Sequence, residues 1–295
     1  MNRSFWVSKT QTLWRPKMVF QPVIPLSGFG GWNFLQSTYD SQLETYSSTP
    51  QIKNDIDYFT EKFAEPMAVE DFLSDPRLRR ISMTAFGLSG EEWKTGYIRT
   101  VLDEVQDPES TFLARLNNPQ YNEFANELRP VDGKILLTLP DLEKITARFS
   151  AESFELAVGE QDNAMRLSLN YQSEISDLVT EGSSDQTILY RLLGSVPVRT
   201  VLESALGLPA DIQKLDLDRQ AAILDDKLKS QFNISSIQDL TDPEVIDRAV
   251  SRYMALDGLN RNAAATGPAA TALVLLGNAA GFGSIASQNL FLSGL

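Results

Sequence analysis

The chain has 295 residues, 42% of them apolar and 22% charged, a balance that belongs to a folded globular protein with room for a substantial core. It contains neither cysteine nor histidine, which excludes disulfides, thiol nucleophiles, structural zinc and every imidazole-dependent acid–base step. The net charge of −13 repels phosphate backbones and anionic lipid, so neither nucleic acid nor a membrane surface is an expected partner.

The charge is unevenly placed. Residues 1–39 carry four basic and no acidic side chains, residues 40–261 carry 22 basic and 39 acidic ones, and from Asn262 onward there is none. The opening MNRSFWVSKTQTLWRPK lacks the apolar run of a secretory signal, so no cleavable signal peptide is expected. A second methionine follows at Met18, and residues 1–17 read as an extension upstream of the natural start. The neutral segment after it, rich in Pro and Gly, offers Trp32 and Phe34 as candidate docking side chains.

From there a series of helix starts places a capping side chain before proline: Thr49-Pro50, Asp75-Pro76, Asp107-Pro108, Asn118-Pro119 and Asp242-Pro243. Proline at the first helical position loses no hydrogen bond, and the cap satisfies an amide that the helix leaves open. Helical spacing follows in Ile52, Ile56, Phe59, Phe63, in Leu78, Ile81, Ala85 and in Ile246, Ala249, Val250, Tyr253. Ser89 and Glu92 read as a capping box, with Trp93, Tyr97, Val101 and Val105 lining one face of the next helix. The stretch KILLTL, 134–139, is a strand candidate without a good partner and reads as a linker. Leu142 to Leu178 carries helical spacing without proline; unbroken, it makes one helix of roughly 55 Å, with Gly159 the place for a kink.

The motif AFGLSG at 85–90 ends one helix and starts another, with Gly87 as the left-handed stop. Ala85, Gly87 and Leu88 recur as Ala205, Gly207 and Leu208, Val101–Glu104 as Ile223–Asp226, and Asn118-Pro119 as Asp242-Pro243. The order of stop, apolar face and capped restart argues for two copies of one helical unit packed together. The expected fold is all-α: two related multi-helix units joined by a long central helix in an irregular bundle. Its parts are the extension 1–17, a first unit 18–130, a linker and central helix 131–178, a second unit 179–262, and an uncharged Ala/Gly-rich tail 263–295. In that tail, glycines interrupt the apolar run, so no stable membrane insertion is expected; Ala269–Leu276 reads as a short buried helix, and Leu275 and Phe282 as docking side chains.

Several groups could carry chemistry. GEQDN at 159–163 contains Glu160, Gln161 and Asp162, but residues two apart on a helix face different ways, and Asp162 is placed to pair with Arg166. A solvated or interface-forming turn is the better reading than a catalytic pair. Asp55 with Asp57, and Asp216 with Asp218, have a spacing that can hold magnesium, yet neither continues into a calcium loop and both read as acidic helix starts. GFGSIA at 281–286 fits a dinucleotide fingerprint without the strand before it or the acid after it. GFGGWN at 28–33 departs from the same fingerprint at its last position. Arg77, Arg79 and Arg80 form a basic patch, with Arg199 the repeat counterpart of Arg79, better suited to neighbouring carboxylates than to a bound anion. No catalytic residue, metal or cofactor is expected.

The segments VIPLSGFGGWNFLQSTYDSQ, DIDYFTEKF, DFLSDPRLRRISMTAFGL, FELAVGEQDNAMRLSLN and VRTVLESALGLP together resemble a bacterial family known as domain of unknown function 1217, over about Met18 to Leu276. The resemblance implies an alphaproteobacterial protein whose relatives often sit near flagellar genes, and it brings no catalytic residues. The function expected is a non-enzymatic interaction or structural protein of the flagellum, acting through a protein partner, in the cytoplasm or exported by the flagellar route. The alternatives are a cytoplasmic export chaperone or regulator of a flagellar subunit, and an oxygen-ligand metal hydrolase using Asp55, Asp57, Glu160 or Asp162.

Overall fold

The computed structural model describes residues 20–266, without 108, 117 and 181. The expected all-α character is observed. The first helices are α1 (Gly28–Ser47), α2 (Pro50–Lys62), α3 (Val69–Ser74), α4 (Pro76–Ala85), α5 (Thr95–Glu104), α6 (Phe112–Leu116) and α7 (Pro119–Glu127). They are followed by α8 (Leu139–Gln161), α9 (Asn163–Leu178), α10 (Asp185–Gly194), α11 (Val196–Ala205), α12 (Leu217–Phe232) and α13 (Pro243–Thr266), with 3-10 turns at Ala210–Lys214 and Ile237–Thr241. No described helix is long and apolar enough to cross a membrane.

Four of the five cap-proline pairs begin helices. Asp75 accepts from the amides of Arg77 and Leu78 at 2.9 and 3.1 Å, and Asn118 from that of Tyr121 at 2.9 Å. Asp242 accepts from Glu244 N at 2.9 Å, whereas Thr49 precedes its proline without a side-chain cap. The fifth differs: Asp107 lies in a turn, Pro108 falls outside the described residues, and the next helix waits until Phe112. The two glycine stops share one geometry. Gly87 and Gly207 have φ of +69° and +64°, and the amides of Leu88 and Leu208 reach back five residues to Met83 O and Glu203 O, both at 2.8 Å. This is a helix stop in which a left-handed residue lets the next amide cap a free carbonyl.

The structure corrects three local expectations. KILLTL does find partners: β3 (Lys134–Ile135) lies between β1 (Met67–Ala68) and β2 (Pro130–Val131), antiparallel to both, with Ile135 opposite Met67 and Pro130. The hairpin joining β2 to β3 turns on Asp132 and Gly133, both at positive φ (52° and 74°), the conformation an Asp-Gly turn favours. Ser89 and Glu92 form no capping box; they lie in turns before α5, and Trp93 stands 73% exposed instead of lining the apolar face. The long central helix is two helices. At Asp162 the chain becomes extended (φ −146°, ψ 102°), and its carboxylate caps α9 by accepting from Ala164 N at 3.0 Å. A carboxylate that can cap a new helix competes with continuing the old one. Helix α8 continues through Gly159, which makes room for Arg166, whose Cδ lies 2.4 Å from where a Cβ would stand.

Two apolar clusters result. One gathers residues from Ile52 to Phe149, with Phe59, Phe72, Phe124 and Phe149 fully buried. The other gathers residues from Phe154 to Met254 and takes Trp32 and Leu35 from α1, which lies against α13. Helix α8 runs through both: its N-terminal half packs on α4 and its C-terminal half forms a hairpin with α9, on which α11 lies. Buried Trp32, 4% exposed, is therefore a core residue and not the docking side chain expected of it.

Candidate functional site

The richest collection of polar groups in the interior lies along the α8–α9 hairpin. Because α9 runs back along α8, residues whose numbers sum to about 325 face each other, as Gly159 faces Arg166 and Glu155 faces Asn170. Glu152 and Glu155 share one face of α8 at a spacing of three; Arg166, Asn170, Glu174 and Asp177 share one face of α9 at spacings of four and three. Together they make a polar seam between the two helices, with Glu155 and Asn170 buried, Glu152, Arg166 and Glu174 half-buried and Asp177 exposed at its end.

Glu155 is its deepest member. It accepts from Tyr39 Oη of α1 at 3.1 Å and from Asn170 Nδ2 at 3.3 Å, and Asn170 in turn accepts from Arg166 Nη1 at 3.2 Å. Both direct partners are neutral, so burial dominates and pushes the Glu155 carboxyl up to about 7. Tyr39 is raised by its own burial and by the Glu155 charge, which keeps its hydroxyl a donor. Glu152 is raised to about 8 by burial, then by the nearby Glu155 and Glu174. Glu174 is also raised by burial, although it accepts from Ser195 Oγ at 2.9 Å and from the Gln120 side chain. At the solvent end Arg148 holds Glu123 of α7 at 2.5 Å and lies over the Phe86 ring.

Beside Glu174 lies a cavity of about 60 Å³ bounded by Asn118, Gln120, Leu178, Arg191, Gly194 and Ser195. It is room for one or two waters, not for a metabolite. The helices α7 and α11 begin at its wall with Asn118 and Ser195 as caps, and Glu174 already supplies the negative charge that two helix N-termini favour. The seam joins two helices through carboxyls that burial pushes up toward neutral pH. Among the described residues no three acidic, cysteine or histidine side chains are placed to hold a metal ion.

The residues singled out in the sequence fall elsewhere. Asp55, expected at a helix start, sits inside α2, buried, and receives Arg77 Nε at 2.7 Å and Arg80 Nη2 at 2.7 Å. Arg79 donates to the carbonyls of Glu92, at 3.0 Å, and Leu73, and Arg199 to Glu203 at 2.7 Å and Gln220 at 2.8 Å. The basic patch thus serves internal partners. Asp216 and Asp218 do begin a helix, Asp216 capping α12 through Arg219 N at 3.0 Å. Asp162 pairs with Arg261 at 3.0 Å and not with Arg166, which turns to Asn163 and Asn170. Gln161 donates to Pro22 O at 2.6 Å, Glu160 is exposed, and Phe34 is 37% exposed. Leu275, Phe282 and the motif at 281–286 lie outside the described residues.

The seam itself was missed by motif reading. Its signal was present as Glu and Asn at helical spacing on faces flanked by Phe149, Phe154 and Tyr171, where apolar residues would continue the pattern.

The fold is similar to that in the X-ray crystal structure of protein AGR_C_984 from Agrobacterium tumefaciens, with a TM-score of 0.63 at 20% identity, over 81% of this chain and 99% of that one. No curated protein matches the chain. The family model described as protein of unknown function (DUF1217) matches residues 85–246, more than half of the sequence, from the end of α4 into α13 and across the whole seam. The chain belongs to the DUF1217 family.

Proposed function

We propose that this protein works by contact with other polypeptides, within or beside the bacterial flagellum, and not as an enzyme. The observation that carries the contact reading is the β2–β3 hairpin and its exit. Val131, Leu136 and Leu139 are 65%, 61% and 74% exposed within nine residues of chain. Scattered apolar side chains on a surface need no explanation, but three exposed ones this close in sequence, on a hairpin and its exit, are suited to burial against a partner. A supporting point is that the carboxylates with acid- or metal-like spacing have other work: Asp55 answers two arginines, and Asp162 caps a helix and answers Arg261. The flagellar part of the reading rests on the resemblance, whose implied relatives often lie near flagellar genes.

The test is fractionation of motile cells carrying the tagged chain, with the isolated hook and basal body assayed beside the cytoplasm. Enrichment with the flagellar body is expected, together with its loss in a V131S/L136S/L139S variant of unchanged helicity. A chain absent from that fraction, in cells that swim normally without it, overturns the flagellar reading. A triple variant that stays bound overturns the role of the hairpin. A chain that stays cytoplasmic while its deletion lowers the level of one exported subunit identifies the chaperone alternative.

A further inference from the structure

The β2–β3 hairpin sorts its side chains by strict alternation. Leu128, Pro130, Ile135 and Leu137 are buried, and Arg129, Val131, Lys134 and Leu136 beside them are exposed. The register sets Pro130 opposite Ile135 and Val131 opposite Lys134, so the exposed four share one face, two apolar side chains among two cations.

Those cations have no counterpart. Among the described residues neither Arg129 nor Lys134 makes an ion pair. Lys134 stands between Val131 and Ala68 on the two neighbouring strands, and neither can neutralise it. From Leu128 to Leu139 the single acid is Asp132, in the turn. Glu127, two residues before Arg129, is held by Lys144, and Glu70, two residues after Ala68, by Arg99. A lone solvated lysine is ordinary; two unpaired cations interleaved with exposed apolar groups, on a chain of net charge −13, set this face apart from the rest of the molecule. The sheet edge offers no rival mode of contact, because β2 is an edge strand and Pro130 brings no N–H to pair with an added strand.

We propose that this face receives a segment of another polypeptide in which acidic and apolar side chains are interspersed, the carboxylates meeting Arg129 and Lys134 and the apolar groups covering Val131 and Leu136. The inference rests on the contact reading above and adds to it the chemistry of the partner. At physiological salt charges act over about 8 Å, so a narrow segment laid on the face meets the local cations and not the acidity of the whole chain. A flat anionic membrane brings that acidity with it, which favours a polypeptide.

Fluorescence anisotropy with the full chain and three short labelled peptides tests this: one of glutamate and leucine, one with lysine in place of each glutamate, and one with serine in place of each leucine. The glutamate–leucine peptide is expected to bind about tenfold more tightly than either of the others. An R129E/K134E variant of unchanged helicity is expected to prefer the lysine–leucine peptide, and R129Q/K134Q to bind the two leucine peptides alike. Equal binding of the parent to both leucine peptides, binding to none, or a preference unchanged in both variants overturns the proposal. Binding to phosphatidylglycerol vesicles without any peptide preference overturns it in favour of a lipid surface. The fractionation of motile cells separates this proposal from the reading beneath it. R129E/K134E that stays with the flagellar body, where V131S/L136S/L139S is lost, overturns the acidic partner and leaves the contact reading in place. A parent chain absent from that fraction overturns the flagellar reading and leaves the peptide preference standing.

Discussion

Two buried carboxylates, Asp55 beside the first core and Glu155 beside the second, are held by opposite means. In the first, Asp55 is met by two guanidiniums at 2.7 Å, both partly in water, so opposite charge faces it on both oxygens. In the second, Glu155 is met by a phenol and an amide, and its charge is disfavoured by burial to the point that it titrates near 7. Burial by itself therefore says little about a carboxylate; the charge of what faces it decides whether the site locks the fold or responds to pH.

The largest effects test whether the cores are separate. Phe149 and Phe154 are fully buried five residues apart on α8, one in each cluster. Replacing either with alanine is expected to cost about 3–5 kcal/mol in chemical unfolding. Hydrogen exchange should place the loss of protection around α2 and α4 for F149A and around α9, α11 and α13 for F154A. Loss spread equally over both would show one core and remove the basis of the comparison.

A smaller and sharper test makes the same edit, carboxylate to amide, in both places. D55N leaves two arginines sharing one neutral oxygen and is expected to destabilise by about 2–3 kcal/mol, below the cost of breaking a wholly buried pair because the guanidiniums reach solvent. E155Q is expected to do the reverse. The Glu155 carboxyl lies higher in the fold than its ordinary 4.5, so the folded state binds the extra proton and stability falls as pH rises from about 4.5 to about 7. Glutamine removes that fall; the variant should match the parent near pH 4 and exceed it by about 3 kcal/mol at pH 8, with Tyr39 turning its hydroxyl to accept. An E155Q that destabilises equally at both pH values would mean that the node is held by geometry and not by protonation.

Much of the fold was legible because its signals are local. Asp75-Pro76, Asn118-Pro119 and Asp242-Pro243 announce helices wherever they stand, and the glycine stops at Gly87 and Gly207 behave alike because both rest on a left-handed backbone. What was not legible depends on distant partners. Asp162 ends α8, although nothing in GEQDN tells whether its carboxylate will cap a new helix or pair one turn on; Arg261, 99 residues away, decides its outer partner. The Asp-Gly turn at 132–133 is a local signal for the hairpin, but it lies before KILLTL and outside that stretch. The site was less legible than the fold. Trp32 has the character of a docking side chain and is buried in the second core, while Glu152, Glu155 and Glu174 form no motif and meet only when α9 folds back on α8.

The seat of α1 bears on how the molecule is made. Among the described elements α1 is made first; its later half lies on α8, but another of its partners, α13, begins only at Pro243. With synthesis at about 5–20 residues per second, α1 waits on the order of ten seconds or more for that partner. The first cluster, complete by Phe149, can close during that interval, so vectorial synthesis separates the ages of the two cores.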